Sequence, residues 1–240
     1  IPTTRLRVEP GESALLRVTL PALFAEPRVA LSRVCAFLAG MSEDWMSSLL
    51  RRLFAFLGEE IGRKLWLERT GGSLRYVGDL LGLFGEQRWI LLLRDGRETV
   101  ASMAEHPTFA YGLLKREHPG RLNEGVERLK GGARGNEVLG WEPFARSWVW
   151  QVTEGLRQLE ASASRGAVCQ VRFEDLLAEP RREIERLGRC VGVGTGEPAW
   201  LEEVSRRVRV PCSKFSQLGT AERAIIEKIC RPGLAALGYC

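Results

Sequence analysis

Five large apolar residues in a row, Trp89-Ile90-Leu91-Leu92-Leu93, lead straight into Arg94-Asp95-Gly96-Arg97. Such a run is far below the roughly 18 to 20 residues needed to cross a bilayer. It has the texture of a strand buried on both faces, as in parallel sheets covered by helices. Asp95-Gly96 is turn chemistry, and Glu98 to Ala104 continues as a helix. Upstream, Lys64-Leu65-Trp66-Leu67-Glu68 reads as a short buried strand ended by Thr70-Gly71-Gly72, with a helix from Ser73 behind it. Downstream, Val168 to Phe173 reads as a further core strand. The alternation predicts an α/β fold, a three-layer parallel-sheet core flanked by helices.

Around that core the pattern is helical. Trp45, Leu49, Leu50, Leu53, Phe54 and Leu57 recur at three-to-four spacing within a mostly helical stretch from Ala22 to Gly62. Phe144, Trp148, Val152, Leu156 and Leu159 share one face of a helix over Pro143–Ala161. Pro180–Val191 and Thr220–Leu237 are amphipathic, the latter with a break expected near Pro232-Gly233. Residues 105–140, rich in Gly, charge and His-Pro pairs, read as a long irregular excursion, a lid or acceptor-binding segment within one domain spanning 1–240.

With 35 basic and 30 acidic residues the formal charge of the 240-residue chain is +5. The signs are interspersed, as in Arg181-Arg182-Glu183-Ile184-Glu185-Arg186, so this is solvated helix surface rather than a nucleic-acid stripe. The six cysteines include no C-x-x-C, and His106 and His118 are the only histidines, so no metal is expected. A chain this long needs no covalent staples, and the thiols read as buried and free in a reducing compartment. With no secretory pattern, the expected location is cytoplasmic.

In open α/β sheets, ligands bind beyond the carboxyl ends of the strands, where Arg94 sits. Ser102, eight residues on, can face back to that tip and complete a phosphate clamp. The plainer alternative pairs Arg94 with a neighbouring carboxylate and leaves Ser102 to solvent.

Arg94-Asp95-Gly96-Arg97 followed by Ser102 resembles the 3′-phosphate-binding segment of sulfotransferases that use 3′-phosphoadenosine 5′-phosphosulfate (PAPS). Trp66-Leu67-Glu68-Arg69-Thr70-Gly71 resembles that family's "W-x-E-K-T-P" segment. Val171-Arg172-Phe173-Glu174-Asp175-Leu176-Leu177 with Pro180 is similar to its "V-R-Y-E-D-L-x-x-x-P" run. Ser213-Lys214-Phe215 with Leu237-Gly238-Tyr239 resembles its "S-K-W … L-G-Y" stretch. The order matches over residues 64–239, and the texture is closest to the branch holding tyrosylprotein sulfotransferases and many bacterial enzymes.

That resemblance implies a P-loop-NTPase-like sulfotransferase fold and transfer of a sulfuryl group from PAPS, without metal, to a hydroxyl of a small molecule, lipid, sugar or tyrosine. It assigns Arg94 and Ser102 to the 3′-phosphate, with Phe173 and Lys214 as further cofactor-binding residues. Arg69, in the family's Lys position, lies near the transferring group, and His106 is the better histidine for general base. Glu68 reads as an arginine's partner, Glu174 as a helix cap, and Trp66, Trp148 and Trp150 as core. The family's Gly-rich phosphosulfate loop has no match in residues 1–63. Either an upstream strand and loop precede Ile1, or the chain is a divergent, non-catalytic relative. A kinase-like nucleotide-binding protein is the other alternative, disfavoured by the lack of G-x-x-x-x-G-K-[ST].

Overall fold

The computed structural model describes residues 19–67, 72–84, 87–162, 168–194 and 197–239. The chain divides into two compact units, Ile1–Thr70 and Gly71–Cys240. In the first, α1 (Leu20–Leu23), α2 (Pro27–Ala39) and α3 (Met46–Glu60) carry out the helical pattern read from Ala22 to Gly62. Pro27 opens α2 at a position where no intrahelical N–H is needed. Leu20, Ala30, Val34, Leu53 and Leu57 form a small core. Phe37 stacks on Phe56 with centroids 4.3 Å apart, and Arg33 pairs with Glu60 at 2.7 Å.

No strand forms at Lys64–Leu67; Glu68 lies outside the described residues. Leu65 and Leu67 are 70% and 82% exposed, whereas the Trp66 ring stacks on Phe54 of α3 at 4.3 Å. A side-chain partner on the preceding helix suits this short apolar segment without any ladder hydrogen bonds.

The second unit begins with a 3₁₀ turn, Ser73–Tyr76, and α4 (Val77–Leu83). Strands β1 (Trp89–Leu93) and β2 (Val168–Arg172) pair in parallel, from Trp89 opposite Val168 to Leu93 opposite Arg172. Between them run α5 (Gly96–Ala104), α6 (Pro107–Glu117), α7 (Leu122–Lys130), α8 (Gly135–Leu139) and α9 (Glu142–Ala161). After β2 come α10 (Phe173–Ala178), α11 (Pro180–Val191), α12 (Pro198–Arg207) and α13 (Thr220–Ala236).

This architecture overturns the expected three-layer parallel sheet. The unit is mostly helical, and its sheet has two strands among the described residues. Leu93 is buried, but Ile90 and Leu92 are 41% and 55% exposed. The apolar run is therefore a strand with one covered face, and apolarity alone does not reveal whether the other face has a partner. Most of the core is helix on helix. Phe144, Trp148 and Val152 of α9 pack with Val100 and Met103 of α5 and with Ile226, Cys230 and Leu234 of α13. Val77 and Leu81 of α4 close on Leu159 at the far end of α9.

Three smaller expectations also change. Residues 105–140 are largely helical: Pro107 occupies the first turn of α6, while Gly132 and Gly140 adopt positive φ after α7 and α8. These Gly and Pro residues punctuate helices rather than prevent them. Next, α13 continues through Pro232, because its buried stripe Ile226, Cys230 and Leu234 runs across the proline unbroken. Finally, the cysteines are not uniformly buried and free. Cys169 of β2 and Cys190 of α11 form a disulfide with Cα atoms 6.3 Å apart, Cys35 and Cys212 are exposed, and Cys230 is buried. Trp148 is core as expected, but Trp150 is half-exposed beneath the Arg75 guanidinium at 4.9 Å. No helix among the described residues is long and apolar enough to cross a membrane.

Candidate functional site

Because β1 and β2 are parallel and in register, their carboxyl ends lie side by side, and the residues after each strand meet. Asp95 caps α5: its Oδ1 accepts from the Arg97 backbone N–H at 2.8 Å, and its carboxylate also takes the Arg97 guanidinium at 2.6 Å. That hydrogen bond raises the Arg97 pKa above its ordinary value. The Asp95 backbone N–H donates to Glu174 Oε1 at 3.0 Å, and the Tyr239 hydroxyl donates to Glu174 Oε2 at 2.6 Å. Burial first, and then the neighbouring Glu174 carboxylate, raise the Tyr239 pKa. Arg172 donates to the Leu237 carbonyl at 2.5 Å and lies 4.7 Å over the Tyr239 ring. Gly238 adopts φ +69, and a Cβ there would stand 2.9 Å from Arg172 Nη2, so the turn that docks Tyr239 suits glycine.

Arg94 extends from the β1 tip. Its guanidinium lies 5.0 Å from the centroid of the Phe173 ring, an apolar face at the start of α10. It also approaches Glu98 at 3.6 Å, too long for a hydrogen bond. Ser102 follows Glu98 by four residues on α5 and Glu105 by minus three, so these three side chains share one face. On that face the Glu98 carboxylate accepts from the Ser213 hydroxyl and, at 3.0 Å, from the Lys214 backbone N–H. The Lys214 ammonium pairs with Glu105. Arg97 lies 5.8 Å over the Phe215 ring. The Ser102 hydroxyl makes no hydrogen bond with any described residue and is half-buried.

The structure thus sets Arg94 against Phe173 and brings Arg94 and the Lys214 backbone to the same Glu98 carboxylate, while Ser102 lies on that helix without a hydrogen bond to any of them. His106 is exposed at the junction of α5 and α6, its ring edge-on to Phe109 at 5.7 Å, and no described contact ties it to the cluster. Arg69 lies outside the described residues. Glu174 is no helix cap; it joins the β1 turn to the C-terminal segment. Asp95, Glu98, Glu105 and Glu174 are the site's carboxylates, and of these Glu98 and Glu105 carried no reading in the sequence. Their signal was the helical spacing to Ser102, legible only once a partner segment was known. Shallow, open hollows lie elsewhere, beside Phe24, Val29 and Arg33 and beside Glu179, Arg182 and Glu185.

Chemically, the cluster offers two flexible cations, one unbonded hydroxyl and an aromatic face, held by carboxylates. Among the described residues no group of three or more His, Cys, Asp or Glu is placed to hold a metal ion. No family model, no curated protein and no solved structure matches the chain.

Proposed function

We propose that this cluster binds the 3′-phosphate of PAPS and that the chain is a sulfotransferase-like protein acting on a hydroxyl of a small molecule, lipid, sugar or tyrosine. One observation carries the reading. Segments 94–102, 171–176, 213–215 and 237–239, which share a motif order with one enzyme family, meet at the carboxyl ends of two adjacent parallel strands.

The donor set fits the phosphate end of the cofactor. Arg94 supplies a planar fork, Lys214 a point charge and Ser102 a hydroxyl, with Phe173 beneath the guanidinium. The phosphosulfate end has no counterpart, because no Gly-rich loop matching the family's occurs among the described residues. When bound, PAPS supplies an activated sulfuryl group. This chain's described residues hold and orient its far end, and well-placed binding of that kind supplies part of the rate in transfer reactions.

Isothermal calorimetry on the full chain tests the reading. Adenosine 3′,5′-bisphosphate binds, adenosine 5′-monophosphate binds more weakly, and Arg94→Ala costs the bisphosphate about tenfold, a charge-assisted contact's share. Equal affinity for the two nucleotides, or an unaffected Arg94→Ala, overturns it. A second reading, phosphate binding without transfer, is favoured because the His106 ring packs edge-on to Phe109 and, among the described residues, hydrogen-bonds to no member of the cluster. Binding with no label transferred from [³⁵S]PAPS to hydroxyl acceptors selects that second reading.

A further inference from the structure

We propose that Glu98 is the positioning residue of this anion site, the group that straps the Ser213–Phe215 segment onto α5 so that the Lys214 ammonium lies beside Ser102. The inference rests on the reading of the site given above and names a residue that the reading does not use.

Four contacts bind the strap to one helix. Glu98 takes the Ser213 hydroxyl on one oxygen and the Lys214 backbone N–H at 3.0 Å on the other. Arg97 covers the Phe215 ring at 5.8 Å, and Glu105 takes the Lys214 ammonium. Glu98 is the only one of these groups to hold the strap's backbone. Its side chain is mostly buried, which strengthens the hydrogen bond from the Lys214 backbone N–H. The Ser213 hydroxyl is in turn the acceptor for the Ser216 backbone N–H at 3.0 Å, so Glu98 also orients the turn that follows.

The spacing places the ammonium. Lys214 is anchored at its backbone to Glu98 and at its tip to Glu105, seven residues on at the C-cap of α5, about 10 Å along a helix rising 1.5 Å per residue. Its stem therefore runs along the helix past the turn that carries Ser102. Arg94 approaches Glu98 from the opposite end. A phosphate on Ser102 would have Arg94 at one side and Lys214 at the other, and Glu98 sets that separation. Glu98 acts through Lys214 and need not touch the ligand.

A double-mutant cycle on the full chain decides this. Calorimetry with adenosine 3′,5′-bisphosphate gives the affinities of wild type, Glu98→Gln, Lys214→Ala and the double variant. Hydrogen exchange follows the amides of 213–217 without ligand. Expected are about tenfold weaker binding in each single variant, little further loss in the double, and faster exchange of the strap in Glu98→Gln but not in Lys214→Ala. Glu98→Asp restores part of both. Additive losses, or strap exchange unchanged in Glu98→Gln, overturn the inference while leaving the bisphosphate reading intact. A wild type that binds no bisphosphate overturns that reading and the ligand half of this inference, while the exchange rates still judge the strap. Glu98→Gln keeps the helix and its shape, and a thermal midpoint within about 2 °C of wild type confirms an intact fold.

Discussion

Glu174 spends both carboxylate oxygens on residues far apart in the chain, Asp95 and Tyr239. Tyr239→Phe removes one donor and leaves that oxygen unpaired in a half-buried setting. We expect a loss of about 1 to 2 kcal/mol in urea unfolding, with the helix content unchanged. Cys230 supplies a pH test. Burial, and then the nearby Asp95 carboxylate, push its thiol up to about 12 from an ordinary 9.0. The unfolded chain ionises first as pH rises, so it binds fewer protons than the native protein and the native state loses ground. Stability is thus fully present below pH 9 and falls as pH climbs towards 12. In Cys230→Ala the fall between pH 9 and 11 is shallower, whatever that variant's stability at neutral pH; an identical slope would remove the thiol from the account. Tyr239, raised by burial and Glu174, adds a loss of the same sign above pH 10.

At the scale of elements, the second unit depends on how closely helices approach α9. Trp148 lies between two glycines, Gly96 at the start of α5 and Gly233 in α13. A Cβ on Gly233 would stand 2.6 Å from the indole, and one on Gly96 closer still. Gly96→Ala must push α5 off α9, which overpacks the core at a cost of about 1 to 3 kcal/mol and shifts Ser102 with the helix. Thermal unfolding and bisphosphate affinity are expected to worsen together. The same contact explains why Pro232-Gly233 does not end α13: glycine is there for close packing rather than for a turn. The disulfide between β2 and α11 closes a loop of sequence separation 21, and its reduction is expected to cost about 3 kcal/mol. Mass spectrometry of a non-reduced digest should find the peptides of Cys169 and Cys190 joined.

For the whole molecule, the link after α3 is the place to cut. Arg63 and Lys64 are exposed and outside regular structure, at the edge of a unit with its own small core. Brief trypsin treatment is expected to cleave there first and to leave a C-terminal fragment with a cooperative unfolding transition. Equal cleavage throughout the chain would contradict the division into two units. What was legible beforehand followed from short-range physics. The stripe Phe144, Trp148, Val152 and Leu159 predicts a helix wherever it packs, and Trp89–Leu93 predicts a strand. The placing of Arg94 at a strand tip and of Ser102 on the following helix needs only a strand, a turn and two helical turns. Strand count is different. Leu65-Trp66-Leu67 is as apolar as a core strand, yet Trp66 finds Phe54 on the preceding helix and the backbone pairs with nothing among the described residues.

The amino-acid order alone therefore determined most of the helices, though not those of residues 105–140, and two of the three expected strands. Tertiary structure decided what covers each face, which cysteines meet, and which carboxylates bring Lys214 and Tyr239 to the strand ends. The reason is range: periodicity and turn chemistry act over a few residues, whereas Glu98 meets Lys214, and Glu174 meets Asp95, only after long loops have closed.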